Sequence, residues 1–386
     1  MSRKRLKIAY CLNSFNTGGT ESNAVRTAEH LDPSRFELIV VNLAECGLLR
    51  RRYENLGVPI RYIEIPNLYS LSTIRQGIGL AAYLRRENVD IVHSHDIYSN
   101  IFVVPWARLL TRARVVASRR WGTDVSPIKL ERANRVAYRF AHKILANSET
   151  VAEILIRNDY VARKKTIVIP NFLEERSFEI DAMIEREDWR RSWGIPVNCF
   201  LVGIVARLSP VKNHAVLLRA MTIVRPDMHL VVIGDGPLRS ELVALARELG
   251  IASRVHFVGE ILERKNLHQY SDVSVLCSTG EGFPNSLIEA MAAARPIVAT
   301  PVGGVIDAVH DGVNGILVKN DCPEEIAAAL LRLESDPDLR KTLGNNGRKI
   351  AREKFHQDTI ISDLSKFYES LVETHHIDAK SKPLGD

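Results

Sequence analysis

The stretch Cys277–Gly304, CSTGEGFPNSLIEAMAAARPIVATPVGG, decides how this 386-residue chain is read. The apolar run Val273–Leu276 ahead of it reads as a short buried strand. The Gly/Pro-rich turn reads as a loop, Asn285–Ala294 as a helix and Pro296–Ala299 as the next strand. Such a strand–loop–helix–strand unit belongs to a parallel sheet. It delivers its loop, and the amides of its helix N-terminus, to the carboxyl edge where open α/β folds bind ligands. Two carboxylates frame the loop, Glu281 in the turn and Glu289 in the helix, with Gly282, Phe283, Pro284, Asn285 and Ser286 among the residues between them. Carboxylate oxygens accept hydrogen bonds from sugar or ribose hydroxyls, while helix amides attract phosphate. The structural alternative makes Ser286 and Glu289 a capping box and leaves Glu281 solvated.

Working outward, Phe200–Ala206 opens the sheet to which this unit belongs, and Arg207-Leu208-Ser209-Pro210-Val211-Lys212-Asn213 follows it. Two cations at a strand's carboxyl end, just ahead of a helix, make a site for a diphosphate; the competing reading is a plain surface loop. Leu230–Gly234, Arg254–Gly259 and Val313–Val318 read as further strands. The turn Gly234-Asp235-Gly236-Pro237 lacks the third glycine of a dinucleotide fingerprint. Asp336-Pro337-Asp338 has the letters of a D-x-D metal motif, but no strand precedes it and Asp-Pro reads as a helix start.

The first half repeats the strand–helix alternation. Leu6–Leu12 is a buried first strand, followed by the loop Asn13–Thr20 and a helix over Glu21–Leu31. Strands follow at Phe36–Leu43, Ile60–Ile65, Asp90–Ser94, Arg114–Ser118, Lys143–Ala146 and Thr166–Ile169. Paired glycines Gly18 and Gly19 between strand and helix let backbone approach a ligand. His93 and His95 close the fourth strand; the reading sets them on opposite faces, which argues against chelation. The helix after Ile128 carries Arg132, Arg135, Arg139 and then Lys143 opposite Leu130, Ala133, Ala137 and Phe140, either a solvated face or a membrane-surface face.

The segment Glu281–Ala292 resembles the signature E-G-F-P-x-x-x-x-E-A-M-A of retaining nucleotide-sugar glycosyltransferases of the GT-B fold, family four. The resemblance extends over roughly the whole chain and is most specific in the second half. It implies two Rossmann-like, doubly wound domains facing across a cleft: 1–172 binding the acceptor, a linker at 173–197, 198–356 binding the nucleotide sugar, a terminal helix 357–374 returning to the first domain, and a disordered tail 375–386. Arg207 and Lys212 match the family's phosphate-binding pair, with Ala206 in place of the usual glycine. Glu281 with the following amides would hold the donor sugar, and Glu289 the ribose hydroxyls. Gly18, Gly19 and Glu21 match a G-G-x-E loop near the donor phosphates and acceptor. Many members place a donor-contacting histidine where Arg119 or, by best match, Arg120 stands here. That departure hints at an acidic group on donor or acceptor; the alternative is a solvated arginine pair. The implied reaction moves a hexose or N-acetylhexosamine, from a UDP-sugar by preference, to a saccharide or lipid-linked acceptor in surface polysaccharide or glycolipid synthesis. The expected role needs neither a cofactor nor a metal, and no nucleic acid. Two rivals stay open, a nucleotide-sugar epimerase or hydrolase on this fold and a catalytically silent nucleotide-binding module.

Composition bounds the rest. The length favours two domains, and 46% hydrophobic with 25% charged residues is the balance of a soluble globular protein. No run of 18 apolar residues spans a membrane, and the short apolar run after Met1–Lys7 is no signal-peptide core. Five scattered cysteines without CxxC spacing point to a reducing, cytoplasmic compartment. Residues 1–197 hold 31 Lys+Arg against 22 Asp+Glu, and the remainder 21 against 24. A basic first half suggests an anionic partner, including contact with the inner face of a cell membrane.

Overall fold

The described residues hold thirteen strands in two all-parallel sheets. The structure, a computed structural model, describes residues 5–16, 18–65, 70–122, 127–261 and 266–380. In the first sheet β1 (Leu6–Leu12), β2 (Phe36–Asn42), β3 (Ile60–Tyr62), β4 (Ile91–Ser94), β5 (Arg114–Arg119), β6 (Lys143–Ala146) and β7 (Thr166–Val168) lie in the order β3-β2-β1-β4-β5-β6-β7. The second runs β10-β9-β8-β11-β12-β13, from β8 (Leu201–Val205), β9 (His229–Ile233), β10 (Val255–Gly259), β11 (Val273–Leu276), β12 (Ile297–Ala299) and β13 (Gly315–Leu317). The inner strands are apolar runs buried on both faces, as a sheet covered by crossover helices demands, whereas the edge strands β3, β7, β10 and β13 are only partly buried. Strand order reverses between β1 and β4 in the first sheet and between β8 and β11 in the second. Loops leaving adjacent strands in opposite directions there open a crevice at the carboxyl edge.

Chain contacts divide the molecule into one unit of residues up to Asn171 together with those from Asp358 onward, and a second unit, Phe172–Gln357. The segment 173–197, expected to be a linker, belongs to the second unit. It carries a short helical turn Glu175–Phe178 and a helix Met183–Ser192. Leu173 and Phe178 are buried in a core with Phe283, Leu287 and Phe355, and Arg190 donates to the Tyr270 carbonyl and to Asp272. Of its charges, Arg190 pairs with Asp272 and Glu175 with Arg352 inside the unit. Leu173 and Phe355–Gln357 run side by side, with Leu173 N–H donating to the Phe355 carbonyl (2.7 Å) and Gln357 N–H to the Leu173 carbonyl (2.9 Å).

The terminal helix extends Gln357–Lys380, six residues beyond its expected end at 374. No glycine or proline interrupts that stretch, and the first proline after it is Pro383. Ile360, Leu364, Phe367, Tyr368 and Leu371 bury one face in the first unit. At about 1.5–3 kcal/mol for each large apolar side chain, this is ample to anchor a helix. The D-x-D letters resolve as expected: the Asp336 carboxylate caps the helix Pro337–Lys354 by accepting from Leu339 N–H (2.8 Å). The five cysteines are free.

Candidate active site

In the second unit the loops after β8 and β11, the two strands at the sheet's switch point, meet. Thr279 N–H donates to the Val211 carbonyl (2.8 Å), which brings Lys212 against Glu281. Lys212 Nζ and Glu281 Oε1 form an ion pair at 2.5 Å across 69 positions of sequence, with side chains 20% and 9% exposed. The same Oε1 accepts from Ser278 Oγ (2.5 Å). Ser278 is buried, and its carbonyl accepts from Thr300 Oγ1 (2.6 Å) at the end of β12. Glu281 is therefore fixed from two sides, and only one of the two expected cations touches it. Arg207 stands exposed at the start of the same loop, with no ion pair among the described residues. Its charge remains available to a ligand.

Behind the loop stands the turn Pro301–Gly304. Gly303 has φ +51°, and a Cβ there would lie 1.8 Å from the Glu281 carbonyl oxygen; Gly304 N–H donates to the Gly282 carbonyl (3.0 Å). Only glycine allows this approach. Phe283 is buried against Phe355 (ring centroids 5.3 Å apart), so it anchors the loop from beneath. The helix starts one residue after Pro284, at Asn285–Ala292, with no side-chain cap. Ser286 and Glu289 consequently sit inside the helix, and the capping-box alternative is excluded. The Glu289 carbonyl accepts from Asn266 Nδ2 (2.7 Å), which ties the helix to the segment before β11. His214, beside Lys212, is buried with neither ring nitrogen partnered; burial lowers its pKa to about 4, so it is neutral. Ser278 and His214 were not singled out in the sequence, and Gly303 only as part of a second glycine turn, Pro301–Gly304. The S-x-x-E spacing of Ser278 and Glu281 and the Gly-Gly pair were the available signals.

In the first unit the residues expected on the acceptor side gather at the β1/β4 switch point. Gly18 precedes the helix Gly19–His30, and a Cβ on it would meet Glu21 Oε2 at 2.2 Å. Burial raises the Glu21 carboxyl above the usual range. His93 and His95 do not lie on opposite faces: residues two apart on a strand share a face, and their rings stack at 4.1 Å. Both ring nitrogens of His93 are taken, Nδ1 by Tyr368 Oη (2.6 Å) and Nε2 by Ser118 Oγ (2.8 Å). Nor are the two arginines at the end of β5 a solvated pair. Arg119 is buried on Asp159 (2.6 Å) and Glu131 (3.2 Å), whereas Arg120 donates through Nη1 to Asn171 Oδ1 (3.0 Å). Arg135, expected on a free basic face, is held by the buried Asp159 (2.7 Å), while Arg132 and Arg139 remain exposed.

Two parallel α/β units, each with charged and glycine-bearing loops at its switch point, define a protein of the two-Rossmann-domain class. Residues 185–350 match the family Glycosyl transferases group 1, and residues 17–176 match Glycosyltransferase Family 4. HepE of Anabaena, solved in complex with UDP, superposes with a TM-score of 0.85 over 95% of this chain and 100% of that one, at 23% identity. The D-inositol 3-phosphate glycosyltransferase of Corynebacterium glutamicum is 27% identical over 376 residues, 90% of this chain and 87% of that protein. The uncharacterized glycosyltransferase MJ1607 of Methanocaldococcus jannaschii is 33% identical over 214 residues, 54% of this chain; the chain spans just over half (55%) of that relative's length. The chain belongs to the group 1 glycosyltransferase family, and its fold is GT-B. No helix among the described residues is long and apolar enough to cross a membrane.

Proposed function

We propose that this protein transfers a hexose or N-acetylhexosamine from a UDP-sugar to a saccharide or lipid-linked acceptor, with retention of configuration and without a metal ion. The observation that carries this reading is the Lys212–Glu281 pair, locked at the switch point of the second sheet beside the uncapped N-terminus of Asn285–Ala292. In this reading Lys212 and the exposed Arg207 stabilise the charge that grows on the departing diphosphate, the electrostatic task a divalent cation performs elsewhere. Glu281 and the Gly282–Pro284 backbone orient the sugar, Glu289 the ribose hydroxyls, and Asn285 and Ser286 lie at the helix start where phosphate is favoured. Gly18, Gly19 and Glu21 line the acceptor side. HepE's complex with UDP supports a uridine nucleotide.

A lipid-linked acceptor also gives meaning to one surface of the first unit. The helices Leu71–Arg86, Ile97–Leu110 and Ile128–Phe140 pack side by side. They expose Leu71, Ile74, Ile78, Leu109, Ile128 and Val136. Among these apolar side chains stand exposed Arg75, Arg85, Arg86, Arg108, Lys129, Arg132 and Arg139. The single acid in the three helices, Glu131, is turned inward to Arg119 and Trp121 Nε1. Apolar residues among cations of which, among the described residues, only Arg86 has an ion pair, to Glu87 (3.4 Å), suit an anionic bilayer, and we assign this face to it. The reaction is tested with a panel of nucleotide sugars scored by nucleotide-diphosphate release, with and without a lipid extract and with EDTA. Acceptor-dependent release that survives EDTA is the expected result. Release of free sugar without acceptor, loss of activity restored by magnesium, or tight nucleotide binding without turnover would each overturn it.

A further inference from the structure

The polar cluster at the β1/β4 switch point divides into a satisfied half and an unsatisfied half. Tyr10, His93, Ser118 and Tyr368 close on one another, the last link being Tyr10 Oη to Tyr368 Oη at 3.0 Å. His95 and Arg120 are different. His95 is 1% exposed, wedged against the rings of His93 (4.1 Å) and Tyr10 (4.5 Å), and neither of its ring nitrogens has a partner. Arg120 has a buried, unpartnered Nε and one hydrogen bond to the neutral Asn171; no described carboxylate comes within 4.0 Å of its guanidinium. The adjacent Arg119 has two carboxylates. Of two neighbouring guanidiniums, one is neutralised by the protein and the other is left cationic among the uncharged His93, His95, Tyr10 and Tyr368.

The groups around Arg120 reinforce the imbalance. Burial lowers its pKa to about 10 and Arg26 adds a second positive charge, while Tyr368, Tyr10 and the Glu21 carboxylate act against that shift. His95 is held neutral by burial and by His93 and Arg120, so it can donate one N–H without adding charge. Arg120 as a whole is half-buried. A half-buried guanidinium with no carboxylate in contact favours an anion that would supply one, and its planar fork matches a carboxylate or phosphate.

We propose that Arg120, with His95 beside it, forms a subsite for a carboxylate or phosphate group carried by a sugar substrate of this enzyme. The inference rests on the transferase reading for its substrate and on the first unit alone for its chemistry. The test uses the full chain and two variants, Arg120→Gln, which removes the charge, and Arg120→Lys, which keeps the charge and loses the fork. Inorganic phosphate and a free hexuronate are titrated by calorimetry against the neutral hexose. The wild type is expected to bind both anions at least tenfold more tightly than does Arg120→Gln, with Arg120→Lys between them and the neutral sugar indifferent to all three. Steady-state runs then pair a UDP-hexuronate with the matching UDP-hexose, and a sugar phosphate acceptor with the unphosphorylated sugar. The acidic member of one pair should show a KM increase of about 10–100-fold in Arg120→Gln with its neutral counterpart within threefold, which identifies donor or acceptor as the source. Failure of the wild type to bind either anion, or equal losses on acidic and neutral substrates, would overturn the subsite. If no nucleotide sugar is turned over yet the anion titrations still separate the variants, the transferase reading fails and the subsite stands.

Discussion

Lys212→Ala separates the two roles the structure gives this lysine. Its ammonium neutralises Glu281 in the resting protein, and in the proposed reaction it also faces the leaving diphosphate. The resting term is modest, because Lys212 keeps 20% of its side-chain surface and Ser278 Oγ remains a second donor to the carboxylate. Leaving Glu281 with one partner should cost on the order of 1–3 kcal/mol of stability. For a unit of this size that lowers the melting temperature by roughly 2–4 °C per kcal/mol. The reaction term is larger: losing one preorganised charge at the site of developing charge costs about 100–1000-fold in turnover, or about 2.7–4 kcal/mol. Turnover is followed by nucleotide-diphosphate release well below the melting temperature, with nucleotide affinity measured separately by calorimetry. Expected is a turnover loss of about 100-fold or more with affinity weakened by less than about tenfold. Glu281→Gln is the control, since it keeps an acceptor for Lys212 and Ser278 but ends the charge pair. If Lys212→Ala turns over within threefold of wild type, or if the two variants lose the same amount and only in step with their melting temperatures, Lys212 serves the loop alone and the diphosphate assignment is wrong.

Gly303→Ala should lower melting temperature and turnover together: an alanine at φ +51° costs about 1–2 kcal/mol in the backbone alone, and its Cβ would push on the Glu281 carbonyl. A variant with unchanged turnover would show that the turn does not position Glu281. His268 is fully buried with a pKa lowered to about 3, its Nδ1 bonded to Ser274 Oγ (2.7 Å). Below pH 6.5 the unfolded chain takes the proton and the folded one does not, so stability falls toward pH 3 by up to about 1.4 kcal/mol per pH unit. His268→Gln should flatten the pH dependence of urea midpoints between pH 6 and 4, and an unchanged slope would assign the acid sensitivity elsewhere. The protein should sediment with anionic liposomes at low salt and leave them near 0.5 M salt, where screening acts within several Å. Arg132→Glu with Arg139→Glu, or Leu71→Ser with Ile74→Ser, should each abolish sedimentation and spare nucleotide binding. Wild-type protein that ignores anionic liposomes at every salt concentration would remove the bilayer from the reading.

What the sequence makes legible follows from which interactions are local. Every strand was expected with both ends within two residues of an observed one except β3, whose expected end at Ile65 lies three residues past Tyr62, because a doubly wound sheet writes each buried strand as its own apolar run. The Glu281 loop was visible because strand, turn glycine and helix are consecutive. Pairing across distance was not: nothing in spacing joins Lys212 to a carboxylate 69 residues on. The charges of 173–197 gave no sign that Asp272 and backbone carbonyls would receive them. Arg119 and Arg120 show the limit most clearly. They are adjacent, identical and both enclosed, yet side chains alternate along a strand. Arg119, the last residue of β5, turns toward the helix bearing Glu131 and the buried Asp159, while Arg120 turns toward the histidines at the carboxyl edge. Only the neighbours supplied by β4 and the helix layer distinguish a structural ion pair from a cation left for a ligand.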